Sequence, residues 1–242
     1  MDYLKAGESL TYEGKYLNSV LKIFRGVDVA ELHFTILQAP NSRNFQIKAE
    51  AKSKGSISNL FNFDFYQRIE STIDGNDHHI LKTIKRDEQN NRVRDSEAVF
   101  DYENKKVIYT ETDPKDPARA PRRIASPIEA GMQDIVSAVY MLRGLPLEVG
   151  KTFEITFSDS GMVYKVPVRV TARERQKSIL GKVMCWRVEP EVFGTNRPIE
   201  QEGNMIIWIT DDSRRIPVRA QVNSKVGRVE IKLKKAEKIN NE

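Results

Sequence analysis

Two histidines stand side by side after the stretch DGND: His78 and His79, with Asp74 and Asp77 just upstream. Two carboxylates and an imidazole form a donor set that a divalent metal accepts. The spacing argues against it, because successive strand residues point to opposite faces and both imidazoles cannot easily meet one ion. The stretch reads as a polar hairpin turn, and no metal or cofactor is assigned. His33, the third histidine, falls in a strand pattern and reads as structural or exposed. A Ser-His-Asp triad wants its serine on a strained elbow, and no G-x-S-x-G occurs. The single cysteine, Cys185, lies in VMCWRV on the face opposite Met184 and Trp186, and reads as an inert thiol. One cysteine excludes an internal disulfide and a cysteine-based zinc site within the chain. Two acids on distant strands would suffice for glycoside hydrolysis, but no pair is singled out, so no catalytic residue is assigned.

Three charged residues are more informative because of where they sit. Asp134 and Arg143 flank an apolar run, and Arg215 lies in a turn. An acid suits a helix start and a base suits a helix end. Arginine also pairs bidentately with carboxylates. The expectation is that Asp134, Arg143 and Arg215 anchor a helix, with Arg143 or Arg215 held to an acid on a strand.

The elements that would position them are mostly strands. In FNFDFYQRIESTID, Phe61, Phe63, Phe65, Ile69 and Ile73 share one face, and Asn62, Asp64, Tyr66, Arg68, Glu70 and Thr72 share the other. Leu10, Tyr12, Gly14 and Tyr16 alternate in the same way, as do Phe45, Ile47, Ala49 and Ala51. Later come Phe153, Ile155 and Phe157, then Val166, Val168 and Val170, then Met184, Trp186 and Val188. Ile206 and Trp208 share one face of their strand, while Met205, Ile207 and Ile209 share the other. Ile216, Val218, Ala220 and Val222, and finally Val229, Ile231 and Leu233, complete the set. Turns fall at Pro40-Asn41, Asp74-Gly75-Asn76, Gln89-Asn90-Asn91 and Glu103-Asn104, and in SDSGM, ILGK and TDDSRR.

One stretch departs from this period. TDPKDPARAPRRIASP holds four prolines and no apolar period, and reads as a connector over 113–127. A helix is expected over 128–144, capped by Ser126, with Pro127 first and Glu129 completing a capping box. Met132, Ile135, Val136, Val139 and Leu142 form its apolar stripe, and Gly144 and Pro146 stop it.

The expected architecture is therefore mainly β: a large curled antiparallel sheet or open β-barrel with one amphipathic helix between two β halves. Residues 1–112 form an N-terminal meander, 145–236 a C-terminal half and 237–242 a polar tail, in one continuous domain. A curled sheet has a concave apolar face, and the helix is its natural lid. Residues expected to line a space beneath it are Met132, Ile135, Val136, Val139, Phe61, Phe63, Phe65, Trp186 and Trp208.

Composition narrows the class of partner. The 242 residues carry 30% charged and 39% hydrophobic side chains, as a folded domain does. No run of about 18 apolar residues offers a transmembrane helix. The formal charge, +5, is mild. The basic clusters Arg122-Arg123, Arg173 to Lys177 and Lys232 to Lys235 lack interleaved aromatics, so nucleic acid is not expected. MDYLKAGESL has no apolar signal core, so the chain is either cytoplasmic or exported with its signal removed.

Three motifs bear on that choice. GESLTYEGKYL, MQDIVSAVYMLRGLPLEVGKTFEI and GNMIIWITDDSRRIPVRAQVNSKVGRVEIKL lie in this order across nearly the whole chain. Together they resemble the bacterial domain-of-unknown-function family 3108. The middle motif, with Gln133-Asp134, Ser137, Tyr140 and Leu142-Arg143, is the most specific. The resemblance implies an exported, periplasmic or envelope-associated protein of unassigned role, and it carries no catalytic residues. A more distant likeness of architecture is to half-barrel lipoprotein carriers. The expected function is a non-catalytic envelope protein that holds a lipid, acyl chain or other hydrophobic ligand under the helix. The alternatives are a structural envelope protein that meets a protein partner and no small ligand, and a hydrolase of envelope glycan.

Overall fold

The computed structural model describes residues 3–17, 26–39, 42–55, 62–225 and 227–238. Alternating side chains build 15 strands into one sheet, in the order β8-β7-β6-β5-β4-β3-β2-β1-β15-β14-β13-β12-β11-β10-β9. The N-terminal strands are β1 (Ser9–Leu17), β2 (Val27–Gln38), β3 (Phe45–Ser53), β4 (Phe65–Ile73), β5 (Ile80–Gln89), β6 (Arg92–Asp101), β7 (Lys106–Thr112) and β8 (Arg122–Pro127). After the two-residue β9 (Gln133–Asp134) and helix α1 (Ile135–Gly144) come β10 (Thr152–Asp159), β11 (Met162–Ser178), β12 (Gly181–Pro190), β13 (Gly203–Thr210), β14 (Pro217–Ser224) and β15 (Gly227–Glu237). The two halves join where β1 pairs β15 antiparallel, Tyr12 opposite Leu233. The expected curled sheet with one helix between halves is the observed fold; the sheet stays open and does not close into a barrel.

The ladder does not close, yet its two ends face each other. Lys85 Nζ on β5 lies 3.3 Å from Asp159 Oδ1 on β10. Ser126 Oγ on β8 donates to the Gly161 carbonyl at 2.6 Å. The β10–β11 turn makes that approach possible. Ser160 and Gly161 both take positive φ, 51° and 84°, the turn whose twist matches antiparallel strands. A Cβ on Gly161 would lie 2.9 Å from Ile124.

Two boundaries differ from expectation. The segment 113–127 is not all connector: Arg122–Pro127 pairs antiparallel with β7 as an edge strand, Ile124 opposite Tyr109. Proline is tolerated there because an edge strand needs donors on one side only. The helix runs over Ile135–Gly144 and not 128–144. Ser126 is thus a strand residue, and Gln133–Asp134 forms a short parallel bridge to β10. The Pro40-Asn41 turn and residues 239–242 of the tail lie outside the described residues, and Glu237 belongs to β15.

The core forms clusters that α1 bridges, one in each half of the sheet. Ile36, Ile47, Ile73, Ile80 and Phe100 gather with Met132 and Tyr140 into a core on the N-terminal side. Ala138 and Leu142 of α1 pack on the C-terminal side with Ile155, Val168, Val188 and Ile207.

Candidate functional site

The true helix cap is Asp134, buried to 2% exposure. Its Oδ1 accepts from the Val136 and Ser137 amides at 3.0 and 2.7 Å. Ser137 Oγ in turn accepts from the Asp134 amide at 2.9 Å, a reciprocal box built from Asp and Ser. Oδ2 accepts the hydroxyls of Ser71 on β4 and Thr83 on β5, at 2.5 and 2.6 Å.

The other end of the helix is held by a charge. Arg143, 2% exposed, donates from Nη1 and Nη2 to both oxygens of Glu8, at 2.6 and 2.7 Å. Its Nε and Nη2 also donate to the carbonyls of Arg215 and Arg214, at 2.9 and 3.0 Å. Its guanidinium lies 5.1 Å from the Tyr140 ring centre. Burial pulls the guanidinium's pKa down, but the Glu8 bonds outweigh it, so the group stays charged. Burial raises the hydroxyls of Tyr12 and Tyr140 well above the ordinary phenol, so both are neutral beside the pair.

Between these ends the helix spans an unfilled space. An apolar groove of about 330 Å³ lies between α1 and the concave face, partly open to solvent. Its size comes from short side chains. On β3, Ala49 stands between Phe34 and Ile69, and Ala51 between Leu32 and Gln67, so the strand forms a trough. Ala138 and Val139 face it from the helix, and Ile155 and Ile207 from the far strands. Glu50 and Gln67 are the polar residues along its wall. Its volume falls within the roughly 300–1,000 Å³ of small-molecule sites.

Ile69 and Ile135 also wall a second, polar space of about 20 Å³, room for about one water. Thr83, Lys85, Ser158 and Asp159 line it, and the buried Ser158 hydroxyl has no partner among the described residues.

Of the residues expected to line the space, Ile135, Val136 and Val139 do so. Met132 packs into the N-terminal core. Trp186 sits at the border of the C-terminal core, paired with Ile209 across the ladder. Trp208 points to the other face, where its indole N–H donates to Glu174. Phe63 precedes β4 and is 37% exposed, its ring 6.1 Å from that of the half-buried Phe65. Neither phenylalanine lines the groove, and Phe61 lies outside the described residues. Of the three anchoring candidates, Asp134 caps α1 and Arg143 pairs with Glu8, whereas Arg215 meets the helix through its carbonyl. Glu8, Ser71 and Thr83 went unread, and Ala49 and Ala51 were read as one strand face but not as the trough of a groove. No local pattern marks them, since each acts through a partner far along the chain.

The two adjacent histidines are separated. His78 stands edge-on to Tyr3 and Phe45, while His79 pairs with Asp77 and lies against Tyr102. Asp74, Asp77 and His79 bring ligand atoms within 4.8 Å of one another. Asp74 Oδ1 already accepts from the amides of Asn76 and Asp77. Cys185 is fully buried, and burial pushes its thiol up to about 12, which keeps it protonated and unreactive.

The family model for the protein of unknown function DUF3108 matches residues 11–234. The chain belongs to that family. No curated protein matches it in sequence. Among solved structures, the DUF3108 chain is similar to a β-barrel-like protein of the DUF1849 domain of unknown function from Brucella abortus. That match has a TM-score of 0.64 at 11% identity, covering 96% of this chain and 97% of the other. It shows a shared fold. Weaker matches are a candidate exported protein with a YmcC-like fold from Bacteroides fragilis and a candidate lipoprotein from Parabacteroides distasonis. Their TM-scores are 0.41 and 0.32, each at 10% identity, covering 97% of this chain and 97% and 96% of theirs. No helix among the described residues is long and apolar enough to cross a membrane.

Proposed function

We propose that this DUF3108 protein is a non-catalytic binding protein of the cell envelope that holds one hydrophobic chain, such as the acyl chain of a lipid, beneath α1. The observation that carries the reading is the groove of about 330 Å³ between α1 and β3, walled almost wholly by aliphatic and aromatic side chains. An ordinary core packs to the density of an organic crystal and leaves no such volume. The envelope setting rests on what the resemblance to the DUF3108 family implies, an exported protein.

The test is uptake of a fluorescent fatty acid by delipidated protein. Saturable binding is expected, with displacement by an unlabelled acyl chain. Val139→Phe, which puts a ring into the groove, should weaken it by about ten-fold or more, since overpacked sites lose affinity steeply. A protein that takes up no probe would sink the reading.

One observation favours a partner-binding role instead. Ile84, Val99 and Ile108 are 46%, 39% and 44% exposed, and Val99 faces Ile108 across β6 and β7. Absence of uptake would move the weight to that face.

A further inference from the structure

Arg215 was singled out by the sequence as a helix anchor, yet only its backbone is used that way. Its guanidinium is unexplained. Nε and Nη1 are buried and meet no acceptor among the described residues. Every other arginine around it is paired: Arg143 with Glu8, Arg173 with Asp211 at 2.6 Å, Arg214 with Asp212 at 2.6 Å. Among the described residues, no carboxylate pairs with Arg215.

A third orphan donor lies beside it. The Arg215 guanidinium is 5.9 Å from the centre of the Trp186 ring, and the Trp186 indole N–H is also buried without an acceptor. The Arg173 guanidinium lies 5.7 Å from the same ring, placed there because Arg173 and Trp186 are opposite each other on β11 and β12. Two cations therefore flank one ring, and one of them lacks a counter-charge. Buried donors without partners are rare in folded proteins, and a charged one is the costliest kind. Contact with an aromatic face recovers part of that cost but uses none of the N–H groups. An oxyanion supplies what is missing, because its oxygens accept from guanidinium nitrogens and from an indole N–H together.

We infer that Arg215 and the indole N–H of Trp186, with Arg173 beside them, form a binding site for a phosphate or carboxylate group. The site lies where the β13–β14 turn meets the C-terminal end of α1, and it does not depend on what fills the groove. The anion comes either free or as the head of an amphiphile.

The test is titration of ¹⁵N-labelled protein with inorganic phosphate, at constant ionic strength set by chloride, reading the two indole N–H resonances. The Trp186 signal is the one lost in Trp186→Phe. It should move saturably while the Trp208 signal stays. Arg215→Gln, which keeps the carbonyl that Arg143 uses, should weaken the response by about ten-fold or more, the usual loss for a charged hydrogen bond. If Arg215→Gln does not fold, Trp186→Phe gives the same decision through loss of broadening of the phosphate ³¹P line. Dodecyl phosphate binding more tightly than phosphate, with dodecanol leaving the Trp186 resonance still, assigns the anion to an amphiphile's head. Equal binding of the two phosphates assigns it to a free anion. A Trp186 resonance that moves with neither phosphate, or moves equally in Arg215→Gln, overturns the site.

Discussion

The two ends of α1 are both fixed by buried polar groups, but by opposite means. Asp134 is a carboxylate met only by neutral donors, two from its own first turn and two hydroxyls from β4 and β5. Arg143 is a cation met by a carboxylate 135 residues away and by two carbonyls from the β13–β14 turn. The first is a local cap extended to the sheet. The second is a clasp that exists only when β1, the turn and the helix have all assembled. The difference explains the groove. An unfilled apolar space costs stability, and a loosely held helix would settle into it. Clamped at both ends, α1 instead bridges the trough of Ala49 and Ala51.

The clasp should be the more costly end to break. Arg143→Ala leaves the Glu8 carboxylate buried and alone, and should destabilise by about 3–5 kcal/mol. For a protein of this size that is a fall in Tm on the order of 10 °C, measurable by thermal unfolding. Replacing both partners, Glu8→Leu with Arg143→Met, should recover most of it, because two apolar groups leave no charge unpaired. A double variant as unstable as Arg143→Ala would show that the ion pair itself is what holds the end.

The cap should matter less. Asp134→Ala removes the acceptor for two amides, at about 1 kcal/mol, and leaves the buried Ser71 and partly buried Thr83 hydroxyls unpaired, for a total of about 2–3 kcal/mol in urea unfolding. An effect equal to that of Arg143→Ala would erase the distinction between the ends. Between them, Val139→Phe should change stability by no more than about 1 kcal/mol, because its ring enters empty space. A large loss there would mean that the groove is closed in solution.

The chain's period-two pattern was enough to read the curled sheet. Trp208 shows where parity needs register as well: it stands opposite Arg187 and not Trp186, so the two tryptophans lie on different faces. The helix start was misread for a definite reason. Ser126, Pro127 and Glu129 carry the letters of a capping box, but the backbone of Arg122–Pro127 pairs with β7 and ends as a strand. Asp134 and Ser137 make the same box with less usual letters. Glu8 could not be read at all. It looks like a polar residue before a strand, and its burial comes only from Arg143 arriving across the fold.

The smallest effect sharpens the contrast between a buried charge and a partly solvated one. Glu13 on β1 accepts from Lys54 Nζ at 2.7 Å and lies 3.0 Å from Lys234 Nζ. These bonds, Lys54 first, hold its carboxyl down to about 2, below its ordinary 4.5. A depressed carboxyl stabilises the fold above its unfolded pKa, and that contribution fades as pH falls from 4.5 through 2. Glu13→Gln should cost less than about 1 kcal/mol at neutral pH, being partly solvated, and nothing at the acid end. Urea unfolding across that range checks it, and a difference that does not shrink with acid would contradict it.

The most direct measurement of the central claim is native mass spectrometry of the protein purified from a bacterial envelope, followed by organic extraction. A hydrophobic molecule bound one to one, absent from Val139→Phe, is the predicted result. A clean unliganded mass, with no acyl chain taken up when offered, would contradict the claim that the space beneath α1 is a binding site.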